Sequence, residues 1–92
     1  MKKNLRLEEE GDELILWDDE VLQAHVLDRV QAKIYRWAAD GKSVAEIEAA
    51  FREAFRVPPE QDLKRMLGII LTQLVKQGLI DEPAGWAPFE EE

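Results

Sequence analysis

His25 is the single histidine of a 92-residue chain that contains no cysteine. Thiolate catalysis, thiolate metal sites and disulfides are thereby excluded, and His25 has no metal-ligand companion at the short spacing that a helix-borne site such as His-x-x-x-His uses. There is no glycine-rich loop to cradle a phosphate. Carboxylates are abundant, but a run such as Glu8-Glu9-Glu10 has the composition of solvated surface, and no spacing marks one pair as general acid and base. No catalytic residue, metal ligand or cofactor site is expected. What remains is recognition chemistry: main-chain N–H and C=O groups along a strand edge, and apolar side chains along a helix.

Composition narrows the partners. The formal net charge is −8, from 12 basic and 20 acidic residues. Proteins that bind nucleic acid draw affinity from Lys and Arg that release counterions from phosphates, so this balance argues against nucleic acid. A hydrophobic content of 46 %, with only 5 glycines and 4 prolines, is that of a chain that folds. Its length suits one domain, over residues 1–80, followed by an acidic, mobile tail at 81–92. Met1-Lys2-Lys3-Asn4-Leu5 leads into alternating charge, not an apolar block, and no run reaches membrane-spanning length. A soluble, cytoplasmic protein without membrane contact is the expectation.

Two pattern regimes divide the domain. Strand formers with breaks at Glu10-Gly11-Asp12 and Asp18-Asp19-Glu20 predict strands over roughly Leu5–Glu9, Glu13–Trp17 and Val21–Leu27. The period then becomes helical. Asp28 is placed to cap a helix to about Ala39, which Gly41 ends. Ser43-Val44-Ala45-Glu46 is a capping box that opens a second helix through Phe55. After Pro58-Pro59 a third and longest helix runs from Pro59 or Glu60 to about Gln77. An α+β fold is predicted: a three-stranded antiparallel sheet followed by three helices, winged-helix-like in order.

The third helix carries more apolar surface than one core stripe requires. At ~100° per residue, Leu63, Leu67, Ile70 and Leu74 form the stripe that packing needs. Beyond it lies a second row, Lys64, Gly68, Leu71 and Val75, which can line an open groove or be buried within the fold. Glycine inside a helix costs about 1 kcal/mol relative to alanine, and close approach of another backbone is one feature that offsets it. The third strand, Val21-Leu22-Gln23-Ala24-His25-Val26-Leu27, has no proline and little charge, so as the end of a meander it would leave an unguarded edge. An open edge beside an apolar helix face is a cleft for an extended peptide.

The run Val21 to Asp28, then Ala32 and Ile34, then Asp40-Gly41-Lys42-Ser43-Val44-Ala45-Glu46-Ile47, then Leu71-Thr72-Gln73-Leu74 and Gly78-Leu79-Ile80, resembles the PqqD-like family over about residues 13–80. Two departures stand out. Asp40-Gly41 lies one residue closer to Ser43 than is usual, and Arg29-Val30-Gln31 replaces a more typical Glu-Thr-Ala. The resemblance implies a RiPP recognition element, a non-catalytic domain that binds the leader of a ribosomally made precursor peptide and presents it to a separate modifying enzyme. In that family the leader adds as a strand to the third strand and lies against the third helix. Carried over by position, the implied binding residues are Leu22, Gln23, Ala24, His25 and Val26 on the edge and Lys64, Leu67, Gly68, Leu71 and Val75 on the helix wall. Lys64 would pair with a leader carboxylate.

Three rivals use the same residues differently. A homodimer or adaptor would bury the same edge and helix face. A DNA-binding winged helix needs a basic recognition helix, whereas the second helix carries Glu46, Glu48 and Glu53 against Arg52. An enzyme finds no marked site. In the tail, Trp86 and Phe89 are the residues able to plug the groove when no peptide is present.

Overall fold

Glycine at position 11 permits the sharp reversal that starts the fold, because its φ of +61° lies in the left-handed region that residues with a side chain rarely adopt. It joins β1 (Leu5–Glu10) to β2 (Glu13–Asp18), which pairs with β3 (Gln23–Leu27). The computed structural model describes residues 5–20 and 22–87. All pairing is antiparallel in the order β1-β2-β3, with Leu7 opposite Leu16 and Leu16 opposite His25. Three helices follow, α1 (Arg29–Ala39), α2 (Val44–Ala54) and α3 (Lys64–Lys76), so the α+β order predicted from the pattern is the order observed.

Both predicted caps form. Asp28 accepts the Gln31 N–H at 2.8 Å while Gln31 Oε1 accepts the Asp28 N–H at 3.2 Å. Ser43 Oγ accepts the Glu46 N–H at 3.2 Å, and Glu46 Oε1 accepts the Ser43 N–H at 2.8 Å. Each box satisfies donors that a helix start leaves without intrahelical partners. The Glu46 carboxyl is held below its ordinary range, first by the Ser43 backbone N–H, against an opposing effect of burial.

Two boundaries differ from expectation by more than one residue. β3 begins at Gln23, not Val21, because Leu22 has a φ of +53° and cannot continue an extended strand; Val21 lies outside the described residues. An Asx turn precedes it, with the Glu20 N–H donating to Asp18 Oδ1 at 3.1 Å. α3 begins at Lys64, not at Pro59 or Glu60. Arg56, with a φ of +53°, turns the chain after α2, and the Gln61 N–H donates to the Pro58 carbonyl at 3.1 Å in a turn that delays the helix. Asp62 Oδ1 then accepts the Lys64 N–H at 2.9 Å.

The helices cover one face of the sheet. Leu14 and Leu16 point into a core shared with Leu27, Ile34, Ile47, Leu67 and Leu71, all at most 5 % exposed, and α1 packs on β2 and β3. Burying apolar area at roughly 25 cal/mol per Å² is what holds so small a domain together. On the opposite side of the sheet Trp17 is held by an indole N–H bond to Glu8 at 3.1 Å and by the Arg6 guanidinium 5.8 Å from its ring centre. Residues 81–87 return across the helices: the Ala84 carbonyl accepts the Val44 N–H at 2.9 Å, and Trp86 packs against the core. Phe89 lies outside the described residues.

Candidate functional site

The two edges of the sheet are chemically unlike. β1 carries Arg6, Glu8, Glu9 and Glu10, and two of these charges are paired: Arg6 forks onto Asp19 at 2.9 and 3.0 Å, and Arg36 reaches Glu9 at 2.6 Å. The Arg6 donation holds the Asp19 carboxyl below its ordinary range. Charge along an edge keeps other strands from pairing with it. β3 carries Gln23, Ala24, His25, Val26 and Leu27, with no acidic or strongly basic side chain. Among the described residues, no backbone hydrogen bond outside the β2–β3 ladder involves Gln23–Leu27. This edge is open to a further strand.

Register decides where each β3 side chain goes. His25 lies opposite the fully buried Leu16, and Leu27 opposite Leu14, so both belong to the helix side of the sheet. Ala24 and Val26 lie opposite Trp17 and Ile15 on the side that no helix covers, and Val26 is 59 % exposed. Beside the open edge is a cleft of about 140 Å³, floored by His25, Val26 and Leu27 and walled by Ile70, Gln73 and Leu74 of α3 and by Gln77, which caps its end, with Gln31 of α1 at one side. The wall residues stand at i, i+3, i+4 and i+7, which is one helical face. Ile70 also borders an open apolar patch with Met66 and Ile69, which extends the wall toward the start of α3.

The predicted helix wall is elsewhere. Lys64, Leu67, Gly68 and Leu71 line a separate cavity of about 200 Å³ whose other side is Val44, Glu48 and the tail residues Gly85 and Trp86. Leu67 and Leu71 are 2 % and 1 % exposed and belong to the core. Val75 is half-buried against that core and lines neither space. Across this cavity Gly68 faces the chain's own tail. Leu22 is 88 % exposed, but it sits in the turn before β3 and not on the strand. Gln23, Ala24, His25 and Val26 do lie along the edge as expected. The structure therefore gathers the edge residues with a helix face that the sequence reasoning assigned to the core stripe, in Ile70 and Leu74, or passed over, in Gln31, Gln73 and Gln77. A signal was present: Gln73 and Gln77 form an uncharged polar pair at i, i+4, directly flanking Ile70 and Leu74.

Trp86 fills part of the cavity on the tail side, and its Nε1 is buried with no hydrogen-bond partner among the described residues. That leaves an unmet donor costing about 1–3 kcal/mol against the apolar burial of the ring. Among the described residues no group of three His, Cys, Asp or Glu side chains is placed to hold a metal ion, and no helix is long and apolar enough to cross a membrane. Comparison with protein-family models, curated proteins and solved structures returned no match.

Proposed function

We propose that this domain is a non-catalytic peptide-binding module, which takes the leader segment of a ribosomally synthesised precursor peptide as a fourth strand on β3 and presents it to a separate modifying enzyme. The observation that carries it is the open, uncharged edge of β3 beside the cleft walled by Ile70, Gln73, Leu74 and Gln77. Strand addition supplies affinity through the main chain, and alternate side chains of the guest supply specificity. One set enters the cleft toward Ile70. The other lies beside Ala24 and Val26 on the uncovered side of the sheet, where an aliphatic or aromatic guest residue gains a cross-strand partner. The likeness to the PqqD-like family points to the same use of the third strand. A reducing, cytoplasmic setting agrees with a chain that has no cysteine.

The test is a titration of the isotopically labelled full chain with synthetic leader segments from precursor peptides encoded near its gene. Binding with micromolar or better Kd and amide shifts concentrated on Gln23–Leu27, Ile70, Gln73 and Gln77 is the expected result. Shifts at the Trp86 cavity alone, or none with any leader, would overturn the proposal. The same β3 shifts appearing with protein concentration, together with a doubled mass in sedimentation, would instead assign the edge to a second copy.

A further inference from the structure

Gln31 has two jobs, and the first determines the second. As the third residue of α1 it reaches back to the helix start, where its Oε1 accepts the Asp28 N–H at 3.2 Å. Because only the amide oxygen can accept, this bond fixes which end of the side chain is which. The Nε2 end, a donor of two hydrogens, has no partner among the described residues, and Gln31 lines the β3–α3 cleft. His25, in the same lining, bears at least one ring N–H in any tautomer. Gln73 and Gln77 are exposed amides free to turn either end to a guest. The lining contains no carboxylate, lysine or arginine. The lining thus joins aliphatic side chains, Ile70 and Leu74 among them, to donors at Gln31 and His25 that have no competing acidic acceptor beside them.

We propose that this pair of donors is a specificity subsite for the carboxylate of an aspartate or glutamate in the bound peptide, with Gln31 Nε2 as the selecting donor and His25 as the second. It rests on the peptide-binding proposal above. A carboxylate fits best because it accepts at both oxygens and brings no hydrogen of its own to leave unmet. Its hydrogen bonds are also roughly twice as strong as those of a neutral amide. The chain's net charge of −8 opposes an acidic guest at long range. At physiological ionic strength that repulsion decays over about 8 Å, which leaves the contact groups to decide.

Gln31→Glu separates selection from folding. A glutamate at this position still caps the Asp28 N–H, since Glu and Gln serve equally in a capping box, but it replaces the donor with an oxygen. A display library of randomised short peptides is selected on the full-length protein and on the full-length Gln31→Glu variant, whose unchanged melting curve confirms the fold. Wild-type binders are expected to share one Asp or Glu position near aliphatic residues. Changing that residue to Asn or Gln should weaken binding by about tenfold, as for loss of one charge-assisted hydrogen bond. The same acidic peptide should lose at least tenfold on Gln31→Glu, while its amide counterpart keeps its affinity. Binders whose shifts map to β3 and Ile70 without an acidic position, or an acidic preference that survives Gln31→Glu, would overturn the subsite and leave peptide binding standing. A library that yields no binder, or only binders that map away from β3, would overturn both.

Discussion

The two flanks of α3 begin from nearly the same chemistry and end in opposite states. One, with Gly68 and Leu71, is roofed by the tail through Trp86 and merges with the core; the other, with Ile70, Gln73 and Gln77, faces the open edge of β3. Apolar content alone does not separate them, since Leu71 on the covered flank and Ile70 on the open one are both large aliphatic residues. The difference is what lies opposite: the tail of the chain in one case, the unpaired outer edge of a strand in the other. An apolar helix row therefore marks a surface that needs covering, and only its neighbour says whether the chain itself does so.

The covered flank gives the largest expected effects. Leu71→Ala should lower unfolding stability by about 2–5 kcal/mol, because it opens a void in a side chain that is 1 % exposed, and urea denaturation measures it. A loss below about 1 kcal/mol would mean that Leu71 is a surface residue and that the two flanks do not differ as described. Trp86→Ala should cost about 2 kcal/mol, less than for a fully buried tryptophan because the residue is only half-buried. Trp86→Phe, which keeps ring burial but removes the unmet indole N–H, should be close to neutral. If Trp86→Ala leaves the denaturation midpoint untouched, the tail is no roof. Neither change should alter peptide affinity.

On the open flank the expected signs reverse. Gln73→Trp puts a bulky ring at an exposed cleft position, so stability should stay within about 0.5 kcal/mol while peptide affinity falls tenfold or more. Calorimetric titration of that variant measures it, and unchanged affinity would show that the guest does not enter between β3 and α3.

The smallest effect is the part of the pH dependence that arises on the covered side, where the tail meets the start of α2. Glu46 is held below its ordinary pKa by the Ser43 N–H, so the unfolded chain binds its proton more readily than the folded one. Its contribution is complete above the ordinary glutamate range, near about 4.3, and is lost as pH falls through the lowered folded value. Glu46→Gln keeps the capping box without the charge and should flatten that part of the stability profile. Hydrogen-exchange protection of the Val44 amide, which donates to Ala84, taken relative to the intrinsic exchange rate at each pH, is expected to fall over the same acid range in the parent protein and less in the variant. Equal profiles for the two proteins would remove Glu46 from the account.

Much of the architecture was legible because its determinants are local. Gly11 makes its turn, Asp28 and Ser43 cap their helices, and Gly41 ends one, each through bonds or torsions within a few residues. The edge character of β3 was legible too, since it needs only a strand at the end of a meander with no charge on it. The late start of α3 was less so: the turn at Pro58–Gln61 and the left-handed Arg56 override a proline that ordinarily opens a helix. For the cleft, the sequence reached one side and missed the other. Gln73 and Gln77 were passed over because an apolar row was sought, and half of this wall is amide.

What the sequence by itself determined is therefore the set of elements, their order and caps, and the uncharged strand that leaves one sheet edge unguarded. Periodicity reports the angle of each residue around its own helix axis, and through it the width of the apolar arc on α3. It contains no information about the rotation of that helix against the sheet. Only the packing of α3 on α1, and of α1 on β2 and β3, set that rotation, and only the return of residues 81–87 decided which flank was closed.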